Sequence, residues 1–247
     1  MRPRRFQVTD LSGPLVHVEG AEAIHALRVL RLGPSSPVIL FDGLGNEVDG
    51  RIASVAEGAF NVELTGGVRN AKVNQIDLIL AVATPKGDRA DWLVEKCAEL
   101  GVAAVQWIET ERSVVSPGEN KLVRWRRKAA EAAKQGGRSR VMDIASPVSI
   151  SRVVQEYSAS SRLAFGDPSG EAISIGDYLT VATDAERQSA DTVVFIGPEG
   201  GFTAEESRLL IESGAAPIRL ADAVLRIETA AVAVASVYAC MMARRDR

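Results

Sequence analysis

The stretch "IDLILAVATPKGDRADWLVEKCAELGVAAVQWIET", residues 76–110, changes period twice. "IDLILAVAT" (76–84) is a continuous apolar run, the pattern of a strand buried on both faces. "DRADWLVEKCAELG" (88–101) then sets Trp92, Leu93, Lys96, Cys97 and Leu100 at helical spacing, with Gly101 where a left-handed C-terminal cap belongs. "VAAVQWIET" (102–110) is strand-like again. Strands alternating with helices predict a mostly parallel sheet covered on both faces.

The same alternation continues toward the C-terminus. A basic helix is expected from about 120 to 135, and "LAFGD" (163–167), "TVVFIG" (192–197) and "APIRLA" (216–221) are three further strands, each running into a loop. An Ala-rich helix follows, about 227–244, whose small residues suit either packing on its own sheet or close approach of a second copy. Toward the N-terminus the rhythm differs. Between Pro37 and Thr65 the strands are short and punctuated by Asp-Gly, Gly-Asn and Gly-Gly, a β-rich module. "AEAIHALRVLRLG" (21–33) predicts a short amphipathic helix ending at Gly33, and "GGVRNAKVNQ" (66–75) a linker.

Composition narrows the class. The chain has 247 residues, 46% hydrophobic and 25% charged, as in ordinary soluble proteins. It shows no basic and apolar leader and no apolar run of about 18 residues, so a cytoplasmic protein without a membrane span is expected. Cys97 and Cys240 lie far apart in predicted helices and are expected as buried free thiols. With His17 and His25 the only histidines, neither a metal site nor a Ser-His-Asp triad is expected. The net charge of −3 hides two basic clusters, Arg2, Arg4 and Arg5 beside Phe6, and the run from Lys121 to Arg140.

Two loops carry candidate chemistry. "FIGPEGGFTAEE" (195–206) sets three glycines before a helix, yet it has neither the G-x-x-x-x-G-K-[ST] nor the G-x-G-x-x-G spacing, and Glu199 would repel a phosphate. Thr203 and Glu206 predict a capping box that consumes the helix's own amides. The loop therefore suits a neutral or cationic ligand held by backbone. In "LADAVLRIETAA" (220–231), Glu228 and Thr229 are explained by capping, but Arg226 is not.

"FIGPEGGFTAEE", "LRIETAAVA", "KGDRADWLVEKCAELGV" and "KQGGRSRV", in this order behind "HALRVLRLG" and "LFDGLGNE", resemble the ribosomal RNA small-subunit methyltransferase E family over nearly the whole chain. The resemblance implies an α/β fold of SPOUT type, a parallel sheet with a C-terminal trefoil knot, in residues 74–247. Before it comes a small PUA-like β-barrel domain for RNA in residues 1–70. It implies a homodimer that uses S-adenosylmethionine to methylate N3 of a uridine in 16S rRNA or the small ribosomal subunit. Carried over position by position, the cofactor contacts are Leu163, Phe165, Gly166, Ile196, Gly197, Pro198, Glu199, Gly200, Gly201, Leu220, Leu225, Arg226 and Thr229, largely through backbone groups. Relatives often read L-G-x-R before the second arginine. Here Ala221 and Ala223 stand in those places, and Lys134 stands where many relatives carry an acid.

Uracil N3 is a poor nucleophile until it loses its proton, so a cation or a base should assist. Arg226 is the expected cation and Glu228 the candidate base, although capping explains Glu228 equally well. The expected RNA contacts are Arg4, Arg5, Arg31, Lys86, Arg124, Arg127, Lys134, Arg138 and Arg140. Phe6 and Trp125 could stack on a splayed base or pack in a core. The competing readings are a non-catalytic RNA-binding protein of ribosome assembly and, against the motif spacing, a nucleotide-dependent enzyme with a phosphate at 195–201.

Overall fold

The computed structural model describes residues 3–71, 77–168, 172–181 and 191–243. Two compact units emerge, one of Met1–Val73 with Ala133–Val141, the other of Asn74–Ala132 with Met142–Arg247. Residues 72–75 of the expected linker, and Arg2 of the first basic cluster, fall outside the described residues.

The first unit holds β1 (Arg4–Gln7), β2 (Leu15–Glu19), α1 (Ala21–Arg28), β3 (Pro37–Phe41), β4 (Asn46–Ala56), β5 (Ala59–Leu64) and β6 (Arg69–Asn70). Its sheet runs β1-β3-β4-β5-β2, with β6 on β4, and curls into a half-barrel. β2 alternates exposed and buried residues, the mark of a sheet with one wet face. A register shift between Ile52 and Ser54 bends the long β4, as a bulge does. Phe6 and Phe60 meet edge to face at 5.1 Å inside the core, which Ala23 and Ala26 of α1 also join. Phe6 is therefore a packing residue and not a platform for a base.

α1 ends well before Gly33. The N–H groups of Val29 and Leu30 both turn back to the His25 carbonyl, Leu32 donates to Ala26, and Arg31 takes the left-handed φ of 53°. Apolar spacing continues through Leu30, but the chain must turn to deliver Ser35 and Ser36 to hydrogen bonds with Ile52. Tertiary pairing overrides helical periodicity here.

Ala133–Val141 is fastened to this unit by Ser139. The Gly45 amide donates to the Ser139 carbonyl (3.1 Å), and the Ser139 hydroxyl donates to the Glu47 carboxylate. Arg5 ion-pairs with the same carboxylate at 2.6 Å, both side chains being about nine-tenths buried, and Arg69 reaches it at 2.8 Å. Burial alone would raise the Glu47 pKa, but Ser139, Arg5 and Arg69 outweigh it and hold the carboxyl below its ordinary value. A carboxylate lowered in the folded state stabilises above its unfolded pKa, and that stability is lost as pH falls through the lowered value. Glu47→Gln should thus cost about 3 kcal/mol at neutral pH, the scale for breaking a buried pair, and leave melting less acid-sensitive than in the wild type. Thermal melts at neutral and acid pH would check this.

The second unit is an α/β layer structure. In chain order it holds β7 (Leu78–Ala83), α2 (Arg89–Leu100), β8 (Ala104–Glu109), α3 (Glu119–Gln135), whose last residues count with the first unit, β9 (Asp143–Ser149) and α4 (Ile150–Tyr157). There follow β10 (Arg162–Gly166), β11 (Ile173–Ser174), α5 (Ile175–Val181), β12 (Thr192–Ile196), α6 (Ala204–Glu212), β13 (Ala216–Arg219) and α7 (Ile227–Ala243). The seven strands are parallel, in the order β11-β13-β10-β12-β7-β8-β9. Every residue of β7 and β12 is buried, which is why both are continuous apolar runs.

α2 stops where its sequence predicts. Gly101 takes φ 85°, its N–H returns to the Ala98 carbonyl and that of Val102 to Cys97, the paired bonds of a Schellman cap. Trp125 of α3 lies buried against Trp107 of β8, with ring centroids 4.7 Å apart, so it too is a core residue and not a stacking surface. Cys97 is buried, and desolvation pushes its thiol up to about 12, whereas Cys240, expected to be buried, is exposed on α7.

The order of the sheet positions the site. The chain starts at β7, builds β8 and β9 on one side, and later lays β12 between β7 and β10. Such a reversal opens a crevice beyond the carboxyl ends of the strands, where α/β sheets bind ligands.

Candidate active site

A cavity of 260 Å³ lies at the ends of β10, β12 and β13. Its walls are Gly166–Pro168, Ile196–Phe202, Ile218–Ala221, Ala223–Leu225 and Ala230. Small and apolar residues dominate, so much of the hydrogen bonding offered to a ligand comes from backbone.

The loop after β12 is rigidly built. Gly201, at φ 69°, donates its N–H to the Pro198 carbonyl at 2.8 Å, a turn that a side chain would strain. A Cβ on Gly197 would come within 3.2 Å of the Phe202 ring. These two glycines have structural reasons beside any ligand. Next comes the capping box: Thr203 Oγ1 accepts from the Glu206 amide (3.2 Å) and Glu206 Oε2 accepts from the Thr203 amide (2.8 Å).

The turn after β8 clasps the same loop from outside. Arg112 Nη1 donates to the Gly200 carbonyl at 2.5 Å, and Glu206 Oε1 accepts from the Glu111 amide at 2.9 Å. Sequence reasoning passed over Arg112, because an exposed arginine between a strand and a helix carries no local signal of its partner ~90 residues away. Arg112→Ala should lower ligand affinity at this loop by up to about tenfold, the worth of one charge-assisted hydrogen bond, while leaving the melting temperature nearly unchanged. Titration calorimetry beside a thermal melt separates the two effects.

Of the expected cofactor contacts, Gly166, Ile196 through Gly201, Leu220 and Leu225 line the cavity; Leu163, Phe165, Arg226 and Thr229 do not. Leu163 and Phe165 are buried in β10. Phe165 acts at one remove, backing the cavity-lining Phe202 at 6.2 Å. Asp167, Phe202 and Arg219 also line the cavity, each one position away from an expected contact, Gly166, Gly201 and Leu220.

Behind the loop, Arg89 at the start of α2 gathers two carboxylates. Its Nη1 lies 3.4 Å from Glu199 Oε1 and 3.9 Å from Glu228 Oε1. Glu228, second residue of α7, is buried, and its Oε2 has no hydrogen-bond partner among the described residues. A buried carboxylate oxygen left unpaired costs about 1–3 kcal/mol, so it is a strong acceptor for any N–H that reaches it. Arg226, which caps α7 by accepting the Ala230 amide on its carbonyl, presents an exposed guanidinium with no partner among the described residues.

The expected RNA contacts divide. Arg4, Arg31, Lys86, Arg124, Arg127 and Arg140 are exposed, although Arg124 also pairs with Asp91. Arg5 is committed to Glu47, and Lys134, mostly buried, to Glu22 of α1. Burial lowers the pKa of Lys134 and also that of the half-buried Arg138. Basic residues were legible as a cluster, but not which of them fold back onto acids distant in sequence. Among the described residues, no group of three or more His, Cys, Asp and Glu is placed to hold a metal ion, and no helix is long and apolar enough to cross a membrane.

Comparison with known proteins gives the same picture. Residues 72–239 match the RNA methyltransferase domain and residues 18–65 the RNA methyltransferase PUA domain. The ribosomal RNA small subunit methyltransferase E of Synechocystis sp. is 31% identical over 90% of this chain and 72% of its own, and that of Bacillus subtilis 28% identical over 88% and 86%. The crystal structure of the Neisseria gonorrhoeae enzyme of that name, bound to S-adenosyl methionine, superposes with a TM-score of 0.80 at 25% identity, covering 97% and 98% of the two chains. With a PUA domain ahead of an RNA methyltransferase domain that spans most of its length, the chain belongs to the ribosomal RNA small subunit methyltransferase E family.

Proposed function

We propose that this protein transfers a methyl group from S-adenosylmethionine to N3 of a uridine in 16S rRNA, in the cytoplasm. The observation that carries the reading is the cavity at the ends of β10, β12 and β13, walled by the 197–202 loop and the turn after β13. Its fit to the cofactor is chemical: apolar and glycine-rich walls for an adenosine, carboxylates from Asp167 and Glu199 toward cationic groups, and no Lys or Gly spacing for a phosphate. When bound, the cofactor supplies an electrophilic methyl on a sulfonium.

The chain's own residues supply the rest. Glu228 Oε2, the unpaired acceptor, takes the N3 proton of the uracil, and Arg226 stabilises the charge that develops on the uracil oxygens. Arg89 faces its other oxygen at 3.9 Å and so orients the side chain. N3 sits on the pairing edge of the base, so the target uridine is presented unpaired or flipped out.

Residues 1–70 form the RNA-binding domain and residues 74–247 the catalytic domain, with the segment after β13 threaded as a knot. Two copies pair through the small-residue side of α7, which predicts a dimer by sedimentation. RNA is gripped through the exposed Arg4, Arg31, Lys86, Arg124, Arg127 and Arg140. Arg140→Ala should reduce the slope of log affinity against log salt by about one, and an unchanged slope removes Arg140 from the interface.

Calorimetry tests the reading as a whole. Stoichiometric binding of S-adenosylmethionine and of its demethylated product is expected. Binding of RNA but of neither small molecule would make this a non-catalytic RNA-binding protein.

A further inference from the structure

We propose that Arg219 binds the α-carboxylate of the cofactor's methionine portion and so selects for the whole amino-acid end of the ligand. The proposal rests on the reading above that the cavity takes S-adenosylmethionine. At neutral pH that molecule carries one carboxylate, one ammonium and one sulfonium. Among the described residues, the charged groups lining the cavity are Asp167, Glu199 and Arg219. Two anions and one cation face a ligand with two cationic groups and one anionic group. Arg219 is the lining cation that can meet the ligand's carboxylate.

The carboxylate has few other places to go. Three of the amides at and just before the start of α6 are already engaged. Gly201 N–H goes to the Pro198 carbonyl, and Thr203 and Glu206 N–H are closed by the capping box. The neighbouring arginines are engaged as well or stand outside the cavity. Arg112 is held by the Gly200 carbonyl, Arg89 lies between Glu199 and Glu228, and Arg226 does not line the cavity. Arg219, the exposed last residue of β13, lines it with no side-chain partner among the described residues. A guanidinium also matches a carboxylate with two parallel N–H donors, a geometry that a lysine does not reproduce.

The test is titration calorimetry of the full-length chain with two ligands, S-adenosylmethionine and its decarboxylated form, which keeps the ammonium and the sulfonium. Arg219→Gln should weaken S-adenosylmethionine by roughly tenfold or more and the decarboxylated form by less than about twofold. Arg219→Glu should widen the gap, repelling the carboxylate while favouring the ligand that lacks it. Equal losses on both ligands in each variant, or no loss on either, would overturn the assignment. A wild-type chain that binds neither ligand is a different failure, because it removes the cofactor reading itself. Melting temperatures of the variants within a few degrees of the wild type, as expected for an exposed side chain, confirm that affinity and not folding has changed.

Discussion

Glu228→Gln should lower the rate of methyl transfer by about 10²- to 10⁴-fold, the usual contribution of a positioned base, and leave cofactor affinity within about threefold. The substitution keeps the size of the side chain and its place at the head of α7. What it removes is the negative acceptor at Oε2, which is buried and unpartnered among the described residues. The pH profile separates this role from helix capping. If the carboxylate takes the N3 proton, the variant should recover activity as the pH rises and uridine loses that proton to solvent. If Glu228 only caps the helix, the glutamine enzyme should show a lower melting temperature and an unchanged pH profile.

Arg226→Ala should cost about 10²- to 10³-fold in rate, comparable to removing one donor from an oxyanion site. The guanidinium is exposed, so deleting it leaves no buried partner unsatisfied, and stability should stay within about 0.5 kcal/mol of the wild type. Arg226→Lys should recover part of the loss, since the charge returns without the planar fork. Because Arg226 does not line the cavity, cofactor affinity should be unaffected. Single-turnover rates with saturating cofactor would show the effect, and a loss confined to cofactor affinity would return Arg226 to the binding set.

The α/β unit was legible because its strands are buried on both faces. β7 and β12 have no exposed residue, so no alternation obscured their apolar runs. Gly101 marked the end of α2 because the cap requires a left-handed residue. The end of α1 was not legible: Arg31 adopts a positive φ that its identity does not announce, under the demand of Ser35 and Ser36 for the backbone of Ile52. Nor could sequence show that Ser139, on a segment far from β4, fastens to Glu47. Long-range polar pairs leave no periodic trace.

Within the site, the glycine loop was visible as a loop built for close approach, but two of its glycines also serve the fold. Gly201 needs its positive φ, and Gly197 makes room for the Phe202 ring. Leu163 and Phe165 are buried in β10, and of the contacts expected on that strand Gly166, at its end, lines the cavity. Arg89 was read as part of a helix, while the structure sets it between Glu199 and Glu228. That contact joins the cofactor loop to the residue assigned as base.

The most direct measurement is the identity of the product. Unmodified small ribosomal subunits and naked 16S rRNA are incubated with methyl-tritiated S-adenosylmethionine, and the labelled nucleoside is isolated and mapped. Label recovered as 3-methyluridine at a single 16S position is the predicted result. Label on a ribose oxygen, on another base atom, or on neither RNA would contradict the proposed reaction.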